Sequence, residues 1–203
     1  MTTIVAVRKN GRIAIVCDSL TSFGDTRVAK PYKRDHDKIL RVAGSYMGVC
    51  GSSAHHLVLE AVFARQKNPR LGSRAEVYET FRKLHSELKE HAFLNPKEGD
   101  DDPYESSQIT ALIANPSGIY GVYSYREVFD YDRFWAEGSG RNYALGAMYA
   151  VYDRLDTATA IARVGIEAGI EFDKSSGAPY SLHEMAARPG AGRARRTART
   201  DKR

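Results

Sequence analysis

The sequence predicts an α+β domain with largely antiparallel sheets and helices layered on the outside. Segments with strand and helix patterns follow one another in the order strands, two helices, strands, two helices, strand. Alternating strand–helix–strand units, which build parallel sheets, are missing from this order. With 203 residues, of which 42% are hydrophobic, the chain is long enough to bury the core of one ordinary domain.

Two strand pairs are predicted in the first quarter of the chain. Residues 3–7 and 13–16 have strand character and are joined by Asn10-Gly11, a dipeptide that favours a tight hairpin turn. Residues 38–42 and 46–50 form the second pair. The polar residues 22–37 between the pairs are predicted to be a loop.

Two helices are predicted to follow. The first covers residues 54–67, and its apolar residues at helical spacing are Leu57, Val58, Ala61, Val62 and Ala64. The second begins with Ser73 and Glu76, which have the spacing of a capping box. Its apolar stripe consists of Ala75, Val77, Tyr78, Phe81, Leu84 and Leu88.

The second half of the chain is predicted to repeat the pattern. Three strands are followed by two helices and a last strand, at residues 108–114, 119–125, 128–136, 142–154, 157–171 and 179–185. The acidic run at residues 95–103 lacks the alternating ligands of a calcium loop, and we interpret it as solvated surface.

The net charge of +5 is concentrated at one end of the chain. Residues 188–203 contain seven basic residues and one acidic residue among Gly, Pro and Ala, so the rest of the chain is nearly neutral. A segment of this composition is predicted to be a disordered tail, which leaves residues 1–187 as the domain. The tail makes nucleic acid a conceivable partner, but solubility explains its composition better.

The sequence favours a cytoplasmic protein without a membrane partner. It has no apolar run of the length that a signal sequence or a membrane span needs. Its two cysteines, Cys17 and Cys50, lie in strand-like segments and are predicted to be free, packed thiols.

The chemistry at the start of the chain centres on Thr2, which follows Met1 directly. If Met1 is removed, Thr2 carries both a hydroxyl nucleophile and a free α-amine that can act as its base. An α-amine has an ordinary pKa near 8, so part of it is neutral at cytosolic pH. This is the arrangement of an N-terminal nucleophile hydrolase. A threonine in this position also simply permits methionine removal, so the dipeptide alone decides nothing.

Several separated motifs resemble the proteasome β-subunit superfamily, which includes the HslV-type peptidase and the betaproteobacterial proteasome homologue. Residues 2–5 and 8–11 are similar to the HslV-type start, whereas residues 49–54 and 138–140 look more like the proteasome. Residues 173–177 are similar to a proteasomal Asp-x-x-Ser-Gly-Gly segment. The mixture favours the bacterial proteasome homologue, and the agreement in order is more specific than any one motif.

The resemblance implies a four-layer αββα sandwich and a threonine protease that cleaves unfolded polypeptides inside a chamber. It implies a homo-oligomer of stacked rings with six or seven subunits each, seven being favoured, and an ATPase unfoldase as partner. Two other functions stay open: an amidase acting on small substrates, and a silent ring-forming scaffold that retains Met1.

By the resemblance, the catalytic lysine is Lys38, which lowers the cost of the Thr2 alkoxide, and Asp18 pairs with that lysine. If residues are counted directly from Thr2 in the HslV-type pattern, the catalytic lysine falls at Lys33 instead. We choose Lys38, because it begins a predicted strand and Lys33 lies in the predicted loop.

The other implied catalytic residues are Gly51, Ser139, Asp173 and Ser176. Gly51 would donate its N–H to the oxyanion, Ser139 would help to move protons, and Asp173 and Ser176 would fix the N-terminal amine.

A third set of residues would bind the substrate and a cation. Ser22 would align the substrate backbone as an added strand, and Thr21 and Val49 would border the pocket for the side chain that precedes the cleaved bond. The resemblance requires no cofactor, but it places a monovalent cation at Gly169, Phe172 and Ser175.

Overall fold

The computed structural model describes residues 2–28, 30–34, 37–97, 99, 101 and 104–189. Its strands are β1 (Thr3–Lys9), β2 (Arg12–Asp18), β3 (Thr21–Phe23), β4 (Thr26–Val28), β5 (Ile39–Val42), β6 (Ser45–Cys50), β7 (Thr110–Asn115), β8 (Gly118–Val122), β9 (Val128–Tyr131), β10 (Phe134–Gly138) and β11 (Tyr180–Ala186). Its α-helices are α1 (Ser53–Arg65), α2 (Arg74–His91), α3 (Arg141–Val151) and α4 (Ala158–Phe172).

The two large sheets are antiparallel and pack face to face. The first has the strand order β10-β1-β2-β11, and the second has the order β5-β6-β7-β8-β9. Apolar side chains on β1 and β2, such as Ile4 and Ile15, meet Leu112 and Ile119 of the second sheet. Helices α3 and α4 cover the outer face of the first sheet, and α1 and α2 cover that of the second. The predicted α+β class and the αββα layering are confirmed.

The hairpin of β1 and β2 turns at Asn10 and Gly11, as predicted. Their φ angles are +45° and +72°. A two-residue hairpin turn with positive φ at both positions matches the twist of the flanking strands. The hairpin therefore sets the register in which Ile4 pairs with Cys17, which brings the two strand ends together beside Thr2.

The segment predicted as a loop at residues 22–37 contains a small hairpin. Strands β3 and β4 pair only with each other, and Gly24 takes a positive φ of +57° in their turn. Three-residue strands are too short to show an alternation of apolar and polar residues, and the polar composition of this segment predicted a loop.

The strand predicted at residues 128–136 is wrong as a single element. Strand β9 pairs with β8 in the second sheet, whereas β10 pairs with β1 in the first. Between them the chain crosses from one sheet to the other, and the Arg133 carbonyl accepts a hydrogen bond from the Arg8 N–H. Alternation of apolar residues does not reveal a change of strand partner.

The buried face of α1 differs from the predicted stripe. Of the predicted stripe, Val62 is buried and Val58 is partly buried, but Leu57, Ala61 and Ala64 are exposed. The helix also buries Leu59 and Phe63, which were not predicted. Apolar residues lie on several sides of this helix, so their spacing alone does not decide which face is buried. The face that packs against the sheet includes Leu59 and Phe63, which have large side chains.

Helix α2 follows its prediction more closely. Val77, Phe81, Leu84 and Leu88 are buried, while Ala75 and Tyr78 are exposed. The Glu76 N–H donates to Ser73 Oγ, and the Glu76 carboxylate accepts from the Gly72 N–H rather than completing the reciprocal box with Ser73.

After β11 the chain remains attached to the domain for two further residues. The Ala187 N–H donates to the Gly11 carbonyl, and the Arg188 N–H donates to the Pro116 carbonyl. Residues 190–203 lie outside the described residues, so the disordered tail stays a prediction. No helix in the described part of the chain is long and apolar enough to cross a membrane.

Candidate active site

Thr2 lies just before β1 and is held by the end of β10. The Thr2 carbonyl accepts a hydrogen bond of 2.9 Å from the Ser139 N–H, and Thr3 pairs with Gly138. Gly138 has a φ of +96°, and a Cβ added there would lie 1.8 Å from the Thr2 carbonyl oxygen. Only glycine therefore permits the backbone of β10 to approach Thr2 this closely.

Gly138→Ala is expected to displace Thr2 and to destabilise the fold, because the added methyl group overlaps the Thr2 carbonyl and forces a strained φ. Thermal unfolding would measure the effect. Gly146→Ala is the matched control, since a Cβ there meets nothing within 4 Å and alanine favours the α3 helix. An unchanged unfolding temperature of the Gly138→Ala protein would contradict the argument.

The side chains of Thr2, Lys38 and Asp18 form a connected chain. Lys38 Nζ donates to Thr2 Oγ1 at 2.7 Å and to Asp18 Oδ1 at 3.0 Å. Lys38 precedes β5, and its side chain is 14% exposed, whereas that of Asp18 is fully buried. The hydroxyl of Thr2 is thus in direct contact with an ammonium group that has its own counter-ion.

Asp18 also binds the backbone from three parts of the chain. Its Oδ1 accepts from the Thr3 N–H at 3.0 Å, and its Oδ2 accepts from the N–H groups of Leu20 at 3.0 Å and Gly177 at 3.1 Å. With Lys38, four donors surround this buried carboxylate, which offsets the cost of burying its charge.

A second polar cluster lies on the other side of Thr2. Asp173 Oδ2 accepts from Ser139 Oγ at 2.6 Å and from Ser176 Oγ at 2.7 Å, and Asp173 Oδ1 accepts from the Ser175 N–H. Burial acts to raise the pKa of Asp173, but the hydrogen bonds outweigh it and hold the pKa below its usual value. The carboxylate is therefore ionised at neutral pH.

The side chain of Thr3 joins this cluster, which the sequence analysis missed. Thr3 Oγ1 lies 2.7 Å from Ser176 Oγ, and because Ser176 gives its proton to Asp173, Thr3 is the donor. Alternation along β1 would have placed Thr3 on the face that carries Val5 and Val7, toward α4.

A cavity of about 430 Å³ opens beside Thr2. The predicted substrate-binding residues Thr21, Ser22 and Val49 all line it, together with Gly51. Gly51 also lines a smaller cavity with Thr2 and Ser139. The φ of Gly51 is +116°, a backbone conformation that residues other than glycine rarely adopt. Gly51, which lies between β6 and α1, is thus placed beside Thr2.

Lys33 does not contact the Thr2 hydroxyl. Its Nζ donates to Thr21 Oγ1 at 3.1 Å, on the wall of the same cavity, where Asp37 and His56 also lie. Of the two lysines, Lys38 thus contacts the Thr2 hydroxyl and Lys33 does not, and the catalytic role of Lys38 stays a prediction. None of the three wall residues Lys33, Asp37 and His56 was predicted to bind substrate.

Cys50 borders the smaller cavity but is a poor nucleophile there. Burial, and then the negative charge of Glu137, raise the pKa of the Cys50 thiol to about 12. The thiol is therefore neutral at physiological pH and does not compete with Thr2.

The residues proposed for a monovalent cation lie at the end of α4. Gly169 and Ser175 are buried, whereas Phe172 is 66% exposed and packs against Tyr143. The Gly169 carbonyl accepts a hydrogen bond from the Asp173 N–H. Within the described residues no group of three or more His, Cys, Asp or Glu side chains is arranged to hold a metal. A cation bound through backbone carbonyls stays a prediction.

The chain is similar to subunits of bacterial proteases. No family model matches it. It is 32% identical over 180 residues to the ATP-dependent protease subunit HslV of Caulobacter sp. (strain K31), covering 83% of this chain and 87% of the relative. The HslV subunit of Hyphomonas neptunium is 23% identical over 188 residues, which cover 91% of this chain and 92% of that protein.

Solved structures have the same fold. The bacterial proteasome homologue (BPH) of Thiobacillus denitrificans, in complex with epoxomicin, superposes with a TM-score of 0.86 and 42% identity over 92% of this chain and all of its own. HslV from Trypanosoma brucei, at 19% identity over 91% of this chain and 99% of its own, has a TM-score of 0.65 and supports the fold alone.

Two antiparallel sheets that pack face to face between layers of helices are the fold of an N-terminal nucleophile hydrolase. At one end of the sheets lie Thr2, Lys38 and Asp18 in contact with one another. The chain belongs to the proteasome-like superfamily that includes HslV and the bacterial proteasome homologue.

Proposed function

We propose that the chain is the subunit of a self-compartmentalising threonine protease in which Thr2, after removal of Met1, is the nucleophile. The observation that supports this most directly is the 2.7 Å contact between Lys38 Nζ and Thr2 Oγ1, with Asp18 holding the lysine. Its relatives are subunits of an ATP-dependent protease.

In the first half of the reaction, Thr2 Oγ1 attacks a peptide carbonyl carbon. The freed α-amine of Thr2 accepts the hydroxyl proton, and the Lys38 ammonium stabilises the developing alkoxide. The carbonyl oxygen becomes an oxyanion, which the Gly51 N–H binds. The proton then passes to the leaving nitrogen, the C–N bond breaks, and an ester between Thr2 and the substrate remains.

The second half of the reaction uses water. The α-amine removes a proton from a water molecule, which attacks the ester carbonyl and restores the Thr2 hydroxyl when the C–O bond breaks. In this proposal the cluster of Ser139, Asp173 and Ser176 orients the α-amine, since the Asp173 carboxylate is ionised and its partner Ser139 contacts the Thr2 carbonyl. The site needs no metal for either step, and a monovalent cation near Gly169 would act only on the position of this cluster.

The proposed assembly is a double ring of six or seven copies, with seven favoured, that receives unfolded polypeptide from an ATPase unfoldase. Exposed apolar side chains on the outer helices, among them Leu57, Tyr149 and Phe172, supply surface for contacts between subunits. The ATPase is proposed because the relatives are ATP-dependent protease subunits.

The test is intact mass and covalent labelling of the purified full-length protein. The expected mass lacks Met1, and a threonine-directed electrophile is expected to modify Thr2, as located by peptide mapping, while it blocks peptide cleavage. Epoxomicin is a suitable first compound, since the Thiobacillus denitrificans homologue binds it. Retention of Met1 would favour the silent scaffold, and label on another residue would refute Thr2 as the nucleophile.

A further inference from the structure

The cavity beside Thr2 contains a second lysine that the proposed reaction does not use. Lys33 is half-buried and lines the cavity together with Thr2, Thr21 and Val49. Its Nζ is fixed to the cavity wall by the 3.1 Å hydrogen bond to Thr21 Oγ1. That partner is an uncharged hydroxyl, so it is not a counter-ion for Lys33.

The other charged groups of the cavity already have hydrogen-bond partners within the protein. Lys38 is neutralised by Asp18 at 3.0 Å. The Asp37 carboxylate has its Oδ2 3.2 Å from His183 Nε2, and its Oδ1 accepts the Ile39 N–H. Among the residues that the structure describes, no carboxylate lies within 4.0 Å of Lys33 Nζ. Lys33 is therefore the cavity cation without a counter-ion in this part of the chain.

Apolar and polar residues share the rest of the wall. Val49 is 8% exposed, and Leu20 and Leu57 also line the cavity, as do the polar residues Ser22, Ser52 and His56. The apolar residues accept the methylene groups of a side chain but offer no charge to a carboxylate at its end. A glutamate side chain has two methylene groups followed by a carboxylate, which matches apolar wall residues beside the Lys33 ammonium group.

We propose that Lys33 makes the enzyme prefer polypeptides with an acidic side chain, glutamate above all, immediately before the cleaved bond. The inference rests on the proposed protease function and names the substrate class for that site. The carboxylate of the substrate forms a charge-assisted hydrogen bond with Lys33 Nζ, which its uncharged analogue glutamine cannot equal.

The experiment compares kcat/KM for peptides that differ only at the residue before the cleaved bond, which is Glu, Gln or Lys. The full-length wild-type protein is expected to favour Glu over Gln by about tenfold, the scale of one partly buried ion pair. Lys33→Met is expected to bring this ratio near one. Lys33→Glu is expected to reverse the order, so that Lys is preferred to Glu.

Two further variants separate the charge of Lys33 from its place in the loop. Arg34→Met removes the neighbouring cation, which is exposed and does not line the cavity, and is expected to keep the Glu/Gln ratio. Lys33→Arg keeps the charge and is expected to keep a preference for Glu. A wild-type ratio near one, or a ratio that Lys33→Met does not change, would overturn the proposal.

The same assay distinguishes failure of this inference from failure of the proposed function. Cleavage of all peptides without Glu/Gln discrimination refutes the role of Lys33 alone. Absence of cleavage together with an unlabelled Thr2 refutes the protease proposal, and the inference about Lys33 falls with it.

Discussion

Replacing Thr2 with alanine is expected to abolish peptide cleavage and to leave the folded subunit intact. The variant keeps the α-amine and the backbone contact with Ser139 but loses the hydroxyl that Lys38 contacts. Loss of a nucleophile in a comparable hydrolase site lowers the rate by about a millionfold. Cys50 cannot substitute for it, because its thiol is neutral at physiological pH.

Single-turnover cleavage and circular dichroism would measure the Thr2→Ala effect. Thr2→Ser is the matched variant, since it keeps a hydroxyl at the same position and is expected to keep measurable activity. Residual cleavage by Thr2→Ala at the wild-type rate would show that the nucleophile lies elsewhere.

Lys38→Ala is expected to lower kcat by at least about a hundredfold for every peptide, the scale of a positioned electrostatic or proton-transfer group. Without Lys38, no other side-chain cation of the described residues contacts Thr2 Oγ1 to stabilise the alkoxide. Pre-steady-state kinetics would place the loss in the chemical step. An equal loss in Lys33→Ala and Lys38→Ala with every peptide would contradict the assignment.

Asp18→Asn is expected to share the catalytic loss of Lys38→Ala and to cost stability as well. An amide has one acceptor oxygen, whereas the carboxylate accepts from three backbone N–H groups and Lys38. Removing one partner of a buried ion pair costs about 3–5 kcal/mol. Chemical denaturation would measure this, and a wild-type unfolding midpoint would argue against it.

Local features of this fold could be predicted from the sequence, because short-range chemistry decides them. The Asn10-Gly11 turn requires two positive φ angles, and Ser73 caps α2 through its own side chain. The change of sheet between β9 and β10 and the buried face of α1 could not be predicted, because they depend on which strands and side chains lie opposite.

The candidate site follows the same division. Residues as far apart as Thr2, Lys38 and Asp173 come together only through the sheets, so spacing could not join them and the resemblance of motifs did. Lys38 could be preferred to Lys33 because it lies at the start of a predicted strand, and in the structure it directly precedes β5. The position of Lys33 at the cavity wall depends on its contact with Thr21 of β3, and the polar composition of this segment did not predict the β3–β4 hairpin.

The carboxylate of Asp18 joins segments that lie far apart in the sequence. It binds the N–H groups of Thr3 and Gly177, and β11 pairs with the strand that carries it. During synthesis, the ribosome must therefore release both Gly177 and β11 before this carboxylate gains its last donor and its neighbouring strand. Under the proposed mechanism, a nascent chain completes the surroundings of Lys38 and Thr2 only at that late stage.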